Sequence, residues 1–310
     1  MSGLKYRLVT RSDFDGLVCA VLLNELEMID DILFVHPKDM QDGKIDITSR
    51  DITTNLPYVA AAHLAFDHHA SELLRVGSQP DNHVIHANAP SAARVVYECY
   101  GGSKRFPAEW DAMMYAVDKG DSADFTLDEI LDPKGWVLLN YLMDSRTGLG
   151  RFKEFRVSNY QLMLDLINYC ADHDIDDILQ LPDVEERVDL YFYHADKAKQ
   201  QIRRCTRVIG NLAVLDLRNE ETIYATSRFM IYALFPDINI SIHVMWGVQK
   251  SNTVFATGKS IINRTSNTDV GALMLAYQGG GHTAAGTCQV ANDDAESVLE
   301  KLIATITNDG

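Results

Sequence analysis

The stretch LKYRLVTRSDFDGLVCAVLLNELE, Leu4 to Glu27, decides the reading of the fold. An apolar, strand-like run from Leu4 to Thr10 gives way to the helical pattern LVCAVLLNELE. Between them lies SDFDG, Ser12 to Gly16, with Asp13 and Asp15 two residues apart where strand becomes helix. A turn tightened around Gly16 points both carboxylates off the strand end. The alternation continues: DILFV, AHLAF and HVIH read as strands, and SAARVVYECY as a helix ending at Gly101 and Gly102. It predicts an α/β domain built on a doubly wound, mainly parallel sheet with helices on both faces. Ligands of such sheets gather beyond the carboxyl ends of the strands.

From about Pro107 to Arg207 the pattern is almost wholly helical and includes a long amphipathic stretch, Val184 to Arg207, opened by LPD. After Asn211 strands return in LAVLDL, ISIHVMW and TVFATGK, with helices SRFMIYALF, DVGALMLAYQ and AESVLEKLIATI. The expected organisation is an N-terminal domain over 1–195, helical from about 107, a helix end and linker over 196–210, and a smaller α/β domain with a mixed sheet over 211–310. No internal repeat or low-complexity segment interrupts it.

The 310 residues are 46% hydrophobic and carry 28 Lys plus Arg against 44 Asp plus Glu, a net charge of −16. Long duplex nucleic acid, bound mainly through its phosphates, is repelled by such a chain. The basic run KAKQQIRRCTR, Lys197 to Arg207, reads as a solvated helix face. No apolar run approaches the roughly 18 residues of a membrane span, and MSGLKYRLVT lacks the apolar core of a signal peptide. The expected location is therefore the cytoplasm, with no membrane partner. Five cysteines, Cys19, Cys99, Cys170, Cys205 and Cys288, never spaced as CxxC, suggest neither a disulfide framework nor a zinc-thiolate site.

Acids and histidines recur in short stretches that begin where apolar runs end: Asp13 and Asp15; Asp51 in SRDITTNLPY, read as ending a strand-like run; Asp67, His68 and His69 in LAFDHH; Asp118 and Asp121 in AVDKGDSADF. Four loops converging on one crevice would make an oxygen-rich site with a little imidazole. That donor set suits manganese better than zinc, with cobalt or magnesium able to substitute. A lone Asp-x-Asp in a strand-to-helix turn is more often a helix cap. An Asp-His-His directly after LAF points more strongly to a metal.

Together the DHH at Asp67 to His69, DFDG upstream, GDSADF downstream and GGGHTAAG at Gly279 to Gly286 resemble the DHH phosphoesterase superfamily with its DHH-associated C-terminal domain. The resemblance implies an N-terminal catalytic domain with two manganese ions and a C-terminal domain that binds substrate. It makes Asp13 and Asp15 metal ligands, Asp51 the bridging carboxylate, His68 the imidazole ligand and His69 the catalytic group against the phosphate. Asp121, with Ser122 and Phe125 in the places of the family's Thr and Phe, becomes the last ligand and leaves Asp118 behind it. Gly279, Gly280, Gly281 and His282 would clamp substrate, and Arg264 in SIINRTS would grip a terminal phosphate through a guanidinium fork. A glycine run after a helix is otherwise a common helix terminator.

One position departs. Many relatives, including pyrophosphatases and nanoRNases, carry a histidine four residues before the first Asp, where this chain has Val9. One of the two ions is therefore expected to be weakly held. His36 in LFVHP is the candidate replacement, against the plainer reading of a surface-turn histidine.

The expected activity is a divalent-metal-dependent phosphodiesterase that hydrolyses short oligoribonucleotides or cyclic mononucleotides by a metal-activated hydroxide. An exopolyphosphatase or nucleotide phosphatase is the alternative within the superfamily. A non-catalytic nucleotide-binding regulator is the alternative outside it, and the filled acidic positions on four loops speak against it. The expected partner is a small nucleotide or short oligonucleotide; a homodimer is left open.

Overall fold

Tyr6–Arg11 form the first strand, β1, and Phe14–Glu25 the helix α1 that follows. α1 is buried from Phe14 through Leu23, so it is enclosed on every side, with Asp15 the one charged group in that stretch. Its first turn lies so close to β1 that a Cβ on Gly16 would stand 2.0 Å from the Arg11 carbonyl oxygen and 2.7 Å from Thr10 Oγ1. Only glycine permits that approach.

The structure, a computed structural model describing residues 4–310, comprises two compact units. The leader reading rests partly on residues 1–3, which lie outside the described residues. The first unit contains Met1–Phe125, Pro133–Ser145 and Leu149–Asp189; the second contains Thr126–Asp132, Arg146–Gly148 and Leu190–Gly310.

In the first unit β1 is joined by β2 (Ile29–Val35), β3 (Asp51–Thr54), β4 (Leu64–Asp67) and β5 (His83–Ile85) in the order β2-β1-β3-β4-β5, all parallel. The chain steps one way from β1 to β2 and the other way from β3 onward. The loops after β1 and β3 therefore diverge at a switch point, where open α/β sheets form their ligand crevice. Helices α2 (Pro37–Gln41), α3 (Ala70–Val76) and α4 (Ala92–Cys99) lie between or after the strands. The helical series follows: α5 (Asp111–Asp121), α6 (Leu127–Leu131), α7 (Gly135–Met143), α8 (Asn159–Asp172), α9 (Ile175–Leu179) and α10 (Pro182–Cys205). α1 packs against α4, α5 and α8.

The second unit holds a six-stranded sheet of β6 (Thr206–Ile209), β7 (Leu212–Asp216), β8 (Ile240–Trp246), β9 (Thr253–Lys259), β10 (Gly280–His282) and β11 (Ala285–Val290), ordered β10-β11-β9-β8-β7-β6. Only β7 and β8 pair in parallel, so the sheet is mixed. Helices α11 (Met230–Leu234), α12 (Val270–Leu275) and α13 (Ala295–Asp309) accompany it. Val298, Leu299, Leu302 and Ile306 of α13 recur at helical spacing and join Ile240, Ile242 and the rest of one core. The basic run Lys197 to Arg207 falls on the end of α10 and the start of β6. Among the described residues no helix is long and apolar enough to cross a membrane.

Candidate metal centre

Three groups of the first unit converge at the carboxyl ends of its strands. Asp15 in the first turn of α1, His68 just past β4 and Asp121 at the last residue of α5 bring ligand atoms within 4.8 Å of one another. The His68 ring is fixed from behind, because Nδ1 donates to the Ala89 carbonyl oxygen at 3.1 Å. Its buried Nε2 then faces Asp121 Oδ2 at 2.8 Å without a well-directed hydrogen bond. An imidazole nitrogen this close to a carboxylate suits an ion pair when the ring is protonated and a divalent cation shared by both groups when it is neutral. Asp121 also stands at a helix C-terminus, where the macrodipole disfavours an anion. Its position makes sense as a ligand rather than as a cap.

Electrostatics point the same way. Burial, and then the neighbouring Asp121 charge, push the Asp15 carboxyl up to about 8. Burial works against a charged His68, yet the Asp121 carboxylate and then Asp15 raise the imidazole to about 9. Burial alone would raise Asp121, but the His68 ring, with help from His69 and Arg11, holds it below its ordinary value. Concentrated negative charge in a buried place is what a divalent cation relieves. The three donors therefore fit such an ion.

A relay of hydrogen bonds positions Asp15. Its two oxygens accept from Ala92 N at 3.0 Å and Ala93 N at 2.8 Å, the opening amides of α4. Ser91 caps α4 by accepting from Arg94 N, and its hydroxyl donates to Asp118 Oδ1 at 2.7 Å. Asp118 is held in turn by Arg94 through Nε at 2.9 Å and Nη2 at 2.5 Å. Asp118 thus acts on Asp15 through Ser91 and α4, while Asp121 meets His68. Beside them Asp67, 1% exposed, accepts from His69 Nδ1 at 2.7 Å and from the His68 and His69 amides. That contact turns the other nitrogen of the His69 ring away from Asp67.

The remaining sequence candidates lie elsewhere or are differently engaged. Asp13 caps α1, accepting from Gly16 N at 3.0 Å, and pairs with Arg11 Nε at 2.8 Å. Asp51 is a correction: it begins β3 instead of ending a strand, because the branched run Ile52-Thr53-Thr54 that builds the strand follows it. It pairs in register with Arg7, accepts from Arg7 Nε at 2.7 Å and Thr48 N at 2.6 Å, and lies at the amino edge of the sheet. The residue at the carboxyl end of β3 is Asn55, 2% exposed and left-handed at φ 54°, a conformation asparagine tolerates. Asn55 was missed in the sequence. Its signal was its place directly after a β-branched run.

His36 is exposed and caps α2, its Nδ1 accepting from Lys38 N at 3.1 Å. Within the glycine run, Gly280–His282 form β10, paired antiparallel to β11. A Cβ on Gly281, at φ 155°, would meet the Ala285 carbonyl oxygen at 2.3 Å, so strand pairing by itself demands that glycine. Gly279 is partly buried, whereas Gly280, Gly281 and His282 are exposed. Arg264 is exposed and donates through Nε to its own turn at Ile261 O.

The chain is similar to a solved protein described as the pGpG-specific phosphodiesterase PggH from Vibrio cholerae, at 65% identity and a TM-score of 0.86 over 99% of this chain and 100% of that one. A DHH domain described as coming from a member of a family of ribosomal proteins shares the fold at 11% identity and a TM-score of 0.54, over 98% of this chain and 87% of that one. RecJ from Thermus thermophilus, solved with Mn2+, does so at 13% identity and 0.50, over 97% of this chain and 52% of that one. No family model matches the chain, and no curated protein does.

Proposed function

The chain belongs to the DHH phosphoesterase superfamily, and we propose that it is a divalent-metal-dependent phosphodiesterase whose substrate is the linear dinucleotide pGpG. The observation that carries the reading is the cluster of Asp15, His68 and Asp121, with the buried His68 Nε2 aimed into it. The full-length likeness to PggH supports the substrate. Asp15, His68 and Asp121 would hold the cation, which when bound would supply Lewis acidity to activate water and charge to balance the phosphoryl oxygens. Manganese is the ion proposed, with magnesium as a weaker substitute, because the donors are oxygen-rich with one imidazole.

The chain's own groups do the rest. Asp15, clamped by the α4 amides, keeps its orientation as charge at the site changes. Burial disfavours a charged His69, but its bond to Asp67 raises the ring, which is thus poised to donate to a phosphate oxygen. Cleavage of the P–O3′ bond by water leaves two molecules of guanosine 5′-monophosphate. We assign substrate binding to Gly279–His282 and Arg264 of the second unit, where β10 is an edge strand with exposed backbone. Five free cysteines fit a reducing compartment, and the cytoplasm is the proposed location.

The test is a manganese-supplemented assay of pGpG, pApA, cyclic dimeric guanylate, cyclic AMP and polyphosphate, with products separated by chromatography. Guanosine monophosphate from pGpG, far ahead of the other substrates, is expected. Shortening of polyphosphate without cleavage of pGpG would overturn the reading in favour of an exopolyphosphatase.

A further inference from the structure

We propose that this site works with one divalent cation and that the Arg11 guanidinium, fixed on Asp13, supplies the charge a second cation would bring. The inference rests on the metal centre proposed above. It concerns the side of the crevice formed by β1 and β3.

The groups on that side make a poor seat for a second ion. Val9 is fully buried and packs with Val35, Met40, Ile47, Leu56 and Ala62, so aliphatic side chains surround the position at which an imidazole could have entered. At the end of β3 the neutral amide of Asn55 stands where a bridging carboxylate would be useful, with Nδ2 3.5 Å from Asp13 Oδ1. Two ions held close together need an anion between them. Asn55 can offer only its carbonyl oxygen, which is buried without a partner. Asp13 accepts from Gly16 N with one oxygen, and its other oxygen pairs with Arg11 Nε, a cation that competes with any metal ion for this carboxylate, whereas the partners of Asp15 are neutral amides.

Arg11 brings a fixed positive charge to this side, its Nε 2.8 Å from Asp13 Oδ2. Arg11 is about one-third exposed at 31%, so its planar fork stays within reach of a phosphate while Asp13 fixes its direction. Arg11 is therefore the charge-supplying residue beside Asp13, and Asn55 the residue that keeps the site mononuclear.

Native mass spectrometry of the full chain with added manganese, alongside calorimetric titration with the metal alone, reads the stoichiometry. One equivalent per chain is expected. Two equivalents would overturn the inference and leave the proposed centre standing; none would overturn the centre itself. In Arg11→Gln, loss of a nearby positive charge should tighten manganese binding about three- to tenfold while kcat falls at least about tenfold. A merely structural Arg11 would not tighten the metal. Unchanged manganese affinity would overturn the role given to Arg11, and a second bound equivalent in this variant would support it by showing that the guanidinium keeps that ion out.

Discussion

Replacing Asp51 with alanine should damage stability and spare catalysis. Asp51 is 1% exposed and accepts from Arg7 Nε at 2.7 Å, Thr48 N at 2.6 Å and Thr48 Oγ1 at 3.1 Å. Burial would raise its carboxyl, but Arg7 and Thr48 outweigh burial and hold it below the ordinary value. Hydrogen bonds to a buried charge contribute about 1.5–3 kcal/mol each. Arg7, 32% exposed, regains much of its hydration when the partner goes, so the net loss is about 2–4 kcal/mol. At about 2–4 °C per kcal/mol for a unit of this size, Tm should fall by about 4–16 °C. Catalysis should be spared because the chain rises about 13 Å from Asp51 to Asn55, at about 3.3 Å per residue. The assay pairs thermal unfolding by circular dichroism with kcat/KM on pGpG at about 20 °C, where the variant is folded. A Tm drop with kcat/KM within about threefold is expected. A fall in kcat/KM beyond about 100-fold, near 2.7 kcal/mol of barrier, with Tm unmoved would refute the placement of Asp51 outside the centre.

Asp118→Asn should weaken manganese binding by about 10- to 100-fold without changing the stoichiometry, since Asp118 acts on Asp15 only through Ser91 and α4; titration calorimetry checks this, and unchanged affinity would remove it from the relay. His243 in the second unit is pushed by burial from 6.5 down to about 4. Between those values the unfolded chain takes up a proton that the folded chain refuses, so stability falls as pH drops below about 6.5 and the loss is complete near pH 4. The loss between pH 7 and 5 should be about 2 kcal/mol, read from urea unfolding, and His243→Gln should abolish this part of the slope.

The paired strand-to-helix turn was legible because SDFDG needs a glycine at the close approach and carries its two acids into it. The parallel sheet and the return of strands after the helical series followed from alternation alone. Asp51 misled for a physical reason. DITTN offers a polar group at each end of a short β-branched run, and only pairing of Arg7 with Asp51 and Thr10 with Thr54 shows which end faces the crevice. Asp118 and Asp121, three apart on α5, share a helix face in sequence yet diverge in space. One meets Arg94 from α4 and the other meets His68, a difference made by neighbouring elements. The Arg11–Asp13 pair likewise depends on side-chain direction at a strand end. The glycine run carried too many meanings, and pairing with β11 decided that it is a strand.

The most direct test of the centre is anomalous diffraction at the manganese edge from crystals grown with the metal. Density joined to Asp15, His68 Nε2 and Asp121 at about 2.0–2.4 Å is the expected result. Manganese bound beside Asp51 instead, or no ordered ion between His68 and Asp121 at saturating metal, would contradict it.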